Sequence, residues 1–269
     1  MRTYRADFDS SDDILQEATH AKLTNYGPIV LERSGRIGPI VELAFASLEF
    51  AEQYRLVEIN GGFSSNLCRT LQTGKSFGGG FNEIAGAFPL GAANPITTGD
   101  VQWDQWTIHA ENIAKTKGYN AQLVASLMGA MVELQDNVYE HSGMPETGLV
   151  AYAVTNKSFE FVVADRGVGV LQTLRQNSRY SHIADSGAAL QEIIKDDVSR
   201  FPSETGRGRG FSQLFRALVG HNAELRFRSG DHALTMRPTT DALYGETTLA
   251  QVPTLKGLAI SVFHSADTA

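Results

Sequence analysis

LVASLMGAMVELQDNVYEH, residues 123–141, decides how the rest of the chain is read. Leu123, Leu127, Met131, Leu134 and Val138 fall at steps of three and four, an apolar stripe of helical period. Glu133, Asn137 and His141 repeat every fourth residue of the same predicted helix. Four helical residues rise about 6 Å and turn about 40° past a full circle, so these side chains climb one face as a ladder. A carboxylate, an amide and an imidazole in that order set a proton acceptor beside an oxygen ligand for a metal. A solvated helix face would carry the same spacing, so the meaning of the ladder depends on its surroundings.

Downstream, residues 149–154 and 159–164 are short apolar runs separated by Thr155-Asn156-Lys157-Ser158, a hairpin pattern. The second run feeds into Asp165-Arg166-Gly167-Val168-Gly169. Alternating glycines let the backbone turn sharply and approach a flat ligand, and the carboxylate can accept a hydrogen bond from an exocyclic amine. A second cluster, Gly206-Arg207-Gly208-Arg209-Gly210, precedes a predicted helix from Phe211 to Val219. Glycine backbone at a helix N-terminus is an anion site, and Arg207 and Arg209 add positive charge to it. Between the clusters, residues 170–205 carry a predicted helix over 188–198, with Leu190, Ile193, Ile194 and Val198 apolar. A second hairpin is expected over 223–237, turning at Gly230-Asp231, and a last strand over 257–264.

This order of motifs resembles the GHKL superfamily of ATPases, whose Bergerat fold is shared by histidine kinases, gyrase-type topoisomerases, Hsp90-type chaperones and anti-sigma serine kinases. Glu133 to His141 looks like the N box, Asp165 to Gly169 the first glycine box and Gly206 to Gly210 the second. The resemblance covers about residues 100–264. It implies an α+β sandwich, a mixed and largely antiparallel sheet covered by helices. It implies ATP and Mg²⁺ as ligands. Asn137 would bind Mg²⁺, and Glu133 would orient or deprotonate the attacking water or hydroxyl. Asp165 would read adenine, with Gly167 and Gly169 giving the ring room. Gly206, Arg207, Gly208, Arg209 and Gly210 would wrap the phosphates. His141 would meet phosphate or only pack. Residues 170–205 would be a lid over the nucleotide. Leu258 departs from the pattern, because family members often carry Thr after the glycine that begins the last strand. Another hydroxyl would have to serve there, or the adenine contact is altered.

The implied activity is that of a stand-alone Mg²⁺-dependent ATP-binding protein that hydrolyses ATP as its lid closes. Two alternatives stay open: an anti-sigma-like kinase acting on a Ser or Thr of a partner, and a nucleotide-gated binding module with little turnover. A complete histidine kinase is not expected. His109 lies on a predicted helix over 101–117, but the surrounding WTIHAEN carries no Pro-ended dimerisation signature.

The first 98 residues lie outside the resemblance. Strands over 28–32 and 56–59, around a helix over 39–54 with Pro39 at its start, make a β-α-β run. A further helix is expected over 12–23, capped by Ser10 or Ser11. Residues 60–100, rich in Gly, Ser, Asn and Phe, read as loop with short strands. Asn94-Pro95-Ile96-Thr97-Thr98-Gly99 marks a boundary, giving a small α/β domain over 1–98 and an ATP-binding domain over 99–269. Gly74-Lys75-Ser76 matches the tail of a P-loop, but the position that needs the earlier glycine is Arg69.

The chain has 269 residues, 42% hydrophobic and 20% charged, with net charge −7 and one cysteine, Cys68. No disulfide within the chain and no cysteine cluster for metal can form. The acidic balance argues against a nucleic-acid partner. The polar N-terminus and the lack of a long apolar run suggest a cytoplasmic protein with no membrane partner. A protein partner is expected through the N-terminal domain, and a homodimer stays open.

Overall fold

The structure, a computed structural model, describes residues 2–20, 29–32, 36–49, 56–58, 62–78, 84–195, 218, 221–239 and 245–266. Within them the chain forms β1 (Arg2–Arg5), α1 (Phe8–His20), β2 (Ile29–Glu32), α2 (Gly38–Glu49), β3 (Leu56–Glu58), α3 (Phe63–Thr73) and β4 (Ala85–Pro89). Three helices follow, α4 (Pro95–Thr98), α5 (Val101–Thr116) and α6 (Ala121–His141). Then come β5 (Leu149–Val154), β6 (Ser158–Asp165), α7 (Gly169–Arg175) and α8 (Ser186–Ile193). The long strands β7 (Ala223–Arg237) and β8 (Glu246–Ser265) close the order.

The fold is α+β, with helices covering a five-stranded antiparallel sheet of order β4-β5-β6-β8-β7. The alternation of side chains along a strand sorts the two faces. Phe159, Phe161, Val163, Leu225, Phe227, Ile260 and Val262 belong to one buried cluster with the apolar stripe of α6. Leu149, Ala151, Val162, Ala164 and Ala259 belong to a second cluster with α1 and α2. Both sheet faces are therefore covered, which explains why β6 is buried from Phe159 to Asp165.

α6 starts where Asn120 Oδ1 accepts the Gln122 N–H at 2.8 Å. Leu127, Met131, Leu134 and Val138 are buried, and each such side chain contributes roughly 1.5–3 kcal/mol. Leu123, expected on the same stripe, is only half-buried. α5 is capped by Asp100, and its Trp103 and Trp106 stack at 5.8 Å under the sheet.

The N-terminal residues form a three-stranded parallel sheet, β1-β2-β3, with α1 and α2 as the connections. The β-α-β run is present, extended by β1, which was not expected. α1 starts at Phe8 rather than residue 12, because Asp7 Oδ1, not a serine hydroxyl, accepts the Ser10 N–H at 2.8 Å. α2 ends at Glu49, and residues 50–55 of the expected helix lie outside the described residues. Residues 60–100, expected as loop with short strands, contain α3, closed by Gly74 in the left-handed region. They also contain β4, which precedes residue 99 and is yet an edge strand of the five-stranded sheet.

Gly230-Asp231 does not turn a hairpin. β7 runs through it and pairs with one 20-residue strand, β8, which begins well before the expected residue 257. Gly230 pairs with Leu255 and His232 with Gln251, so Asp231 faces residues 252–254. Pro253 cannot donate to a ladder, so the strand bulges there, and Gly230 at φ 61° takes up the kink. Among the described residues no helix is long and apolar enough to cross a membrane.

Candidate functional site at the end of β6

Asp165 is the last residue of β6 and is 2% exposed. Its Oδ1 accepts the Gly167 N–H at 2.7 Å. Burial pushes its carboxyl up to about 6, and the Gly167 hydrogen bond offsets only part of that rise. A carboxylate with one backbone donor and little water is short of partners when ionised.

The loop after Asp165 is fastened on every side. Arg166 N–H donates to Thr147 Oγ1 at 3.0 Å, and Val168 N–H to the Ser142 carbonyl at 2.9 Å. Val170 N–H donates to Ser229 Oγ at 3.0 Å, and Thr173 Oγ1 to the His141 carbonyl at 3.1 Å. The glycines are required by this packing. A Cβ at Gly167 would collide with the Ser142 carbonyl. A Cβ at Gly169, which has φ 72°, would lie 2.8 Å from Ser229 Oγ. In the direction of a Cβ, both glycines meet the protein's own chain.

The ladder on α6 ends at this loop: His141 and Ser142 supply the two carbonyls just named. Glu133 is exposed, Asn137 and His141 half-buried. The Glu133 carboxyl is held above its ordinary value, first by desolvation against the helix and then by the Asp136 charge. Asn137 Nδ2 donates to the Glu133 carbonyl at 2.9 Å, which leaves its Oδ1 as the oxygen available to a cation. Among the described residues no three His, Cys, Asp or Glu side chains cluster as a metal site. An octahedral Mg²⁺ held mainly by phosphate and water needs only one such protein oxygen.

Gly206, Arg207, Gly208, Arg209 and Gly210, together with the helix expected after them, fall almost wholly outside the described residues. Of the expected lid, residues 170–195 form α7, a 3-10 turn at Ser178–Tyr180 and α8. α8 starts at Ser186, before the expected residue 188, because Asp185 Oδ1 caps the Ala188 N–H at 2.8 Å. Its buried Leu190 and Ile193 join the main core.

Gly74-Lys75-Ser76 has a structural task. The Gly74 N–H donates to the Thr70 carbonyl at 2.8 Å and closes α3, whereas a P-loop glycine precedes the helix it serves. These residues line a cavity of about 600 Å³ together with Phe88 and Trp106.

The sequence assigned several residues of this architecture no role. Ser142, Thr147 and Ser229 hold the Asp165 loop. Arg226 and Arg228 on β7 reach the opposite sheet face, where Asp12 of α1 and Glu42 of α2 receive them. The signal was present only as an Arg-x-Arg alternation around Phe227 in a strand that mixes apolar and polar residues. Comparison of the chain with protein-family models, with curated proteins and with solved structures finds no match.

Proposed function

We propose that the chain is a Mg²⁺-dependent ATP-binding protein that hydrolyses ATP at the junction of α6 and the Asp165 loop. The observation that carries this reading is the docking of that loop on the end of α6. The stretch that resembles the N box and the one that resembles the first glycine box are separate in sequence and meet there: the Ser142 carbonyl, one residue past His141, accepts the Val168 N–H, and the His141 carbonyl accepts the Thr173 hydroxyl of α7.

The chemistry follows from the residues. Asp165, buried and short of donors, gains most from a ligand amine that hydrogen-bonds its carboxylate. Asn137 Oδ1 would hold Mg²⁺, which when bound neutralises phosphate oxygens. Glu133, one turn before Asn137 and held above its ordinary carboxyl value, is the general base. Its exposure leaves it open to a water or to a partner's hydroxyl, so hydrolysis and phosphotransfer use the same base.

Titration calorimetry with Mg-ATP, paired with phosphate release, tests the reading. Micromolar binding that needs Mg²⁺ and disappears in Asp165→Asn is the expected result. Absence of ATP binding by the intact chain would remove the function. Binding without phosphate release, with or without cell extract, would replace hydrolysis by nucleotide gating of a partner.

A further inference from the structure

The Ser229 hydroxyl is 3% exposed and makes two hydrogen bonds. It donates to the Gly257 carbonyl at 2.9 Å and accepts the Val170 N–H at 3.0 Å. These are the two backbone segments that flank Asp165. Gly257 lies so close that a Cβ there would collide with the Asp165 carbonyl. Val170 is the second residue of α7 and ends the Asp165 loop. Leu258, where the resemblance led to a Thr, pairs with Asp165 on one side and with Ser229 on the other. A hydroxyl is thus present on the neighbouring strand, and it is spent on backbone rather than on the Asp165 carboxylate.

The same strand carries the opposite face. Arg226 and Arg228 alternate with Phe227 and Ser229, so they project toward α1 and α2. Arg226 bonds Asp12 at 2.8 Å and Glu42 at 3.0 Å, and Arg228 bonds Asp12 at 2.8 Å and Glu42 at 2.7 Å. Arg228 also donates to the Pro253 carbonyl, in the bulge that precedes Gly257. Three residues of β7 therefore connect the N-terminal helices to the backbone around Asp165.

We infer that Ser229 is a positioning residue for the Asp165 site, and that the Arg226–Arg228 charge cluster makes the N-terminal layer part of that site's support. The role as a nucleotide site rests on the proposed function; the positioning does not. Ser229 sets the distance between Gly257 and Val170, and with it the mouth of the loop that holds Asp165. Asp12 and Glu42 hold the stretch of β7 from which Ser229 projects. Displacing the N-terminal layer then loosens the loop without touching a ligand.

Amide exchange in the ligand-free chain is the test. Ser229→Ala takes the acceptor from Val170, so the Val170 amide should exchange at least tenfold faster while amides in the middle of α5 and α6 keep their wild-type rates. Ser229→Cys, of similar shape and weaker hydrogen bonding, gives the same reading if the alanine variant does not fold. Asp12→Asn, at the edge of the charge cluster, should also speed exchange at Val170–Leu174 and spare α6. An unchanged Val170 rate in the Ser229 variants overturns the positioning role. A uniform rise across the chain overturns it too, since that is loss of global stability. An Asp12→Asn protein with wild-type exchange at Val170–Leu174 overturns the link to the N-terminal layer. Mg-ATP titration of the same proteins separates the two ideas. If the wild type binds nucleotide, Ser229→Ala should weaken it at least threefold. If the wild type does not bind, the ATP reading fails and the exchange result still decides the positioning.

Discussion

Asp165 is a buried acid that the fold keeps partly protonated. Its value of about 6 stands above the ordinary 3.8, so the folded chain holds a proton that the unfolded chain releases. The stability from that proton is full below about pH 4 and is lost as pH rises through about 6. At 1.36 kcal/mol per unit, the loss is roughly 3 kcal/mol. Asp165→Asn keeps an acceptor for the Gly167 N–H and carries no charge. It should match or exceed the wild-type melting temperature at pH 7.5, with the difference vanishing near pH 4. The same variant should bind Mg-ATP at least tenfold more weakly, since a hydrogen bond to a charged group is worth about 1.5–3 kcal/mol. A variant that is destabilised at pH 7.5 would show that the carboxylate is structural. For the wild type, a donor on the ligand favours the ionised acid. Affinity should fall as pH drops below about 6, and binding at pH 6 should release protons, which calorimetry in buffers of different ionisation heat detects.

At the scale of one helix, α6 separates packing from chemistry. Its buried side faces the sheet, and Glu133 and Asn137 lie away from it, so replacing either should cost little stability. Glu133→Gln should keep Mg-ATP affinity and lose phosphate release by about a hundredfold to ten-thousandfold, the usual cost of a missing general base. Asn137→Ala should weaken binding and turnover together. Equal turnover in Glu133→Gln and wild type would move the base elsewhere. α6 was legible because its stripe, its Asn120 cap and its polar ladder agree on one period. β5 and β6 were legible for the corresponding reason, short apolar runs around a turn signal. α3 was not, since FSSNLCRTLQT has little helical preference and is held by burial of Phe63 and Leu67 in the cluster that α1 and α2 form with the sheet. The hairpin expected at Gly230 failed because the glycine serves a bulge set by Pro253, which lies on the partner strand. The Asp165 loop was legible as a motif, but its fastening was not. Ser142, Thr147 and Ser229 are ordinary residues whose importance comes only from what the fold brings beside them.

Across the whole molecule, the N-terminal residues are a layer of the structure as well as a unit of sequence. The carboxylate of Glu160, on β6, accepts the Ile37 and Gly38 N–H groups at 2.6 and 3.1 Å and the Ser261 hydroxyl at 2.8 Å. It thereby caps the start of α2 from the sheet, where the helix dipole favours negative charge. Beside it, two guanidinium groups and two carboxylates balance in a site where Arg228 is fully buried. Burial alone would raise the Glu42 carboxyl, yet Arg226 and Arg228 outweigh burial and hold it below its ordinary value. Its stabilisation is therefore present above the unfolded-state value and is lost as pH falls through the lowered one. Glu42→Gln should leave the two arginines with half their charge compensation and cost about 3–5 kcal/mol, the typical loss when one partner of a buried pair is removed. Replacing all four groups by apolar residues of similar volume removes the desolvation cost along with the attraction. That variant should recover most of the loss. Denaturant titration of the three proteins decides this. Glu42→Gln within about 1 kcal/mol of wild type would mean that the charges between the layers are screened like surface pairs. The N-terminal layer would then rest on its apolar contacts with Leu149, Ala151, Val162, Ala164 and Ala259. A large loss in the single variant with recovery in the fourfold one would show a clamp whose charges specify the docking more than they strengthen it.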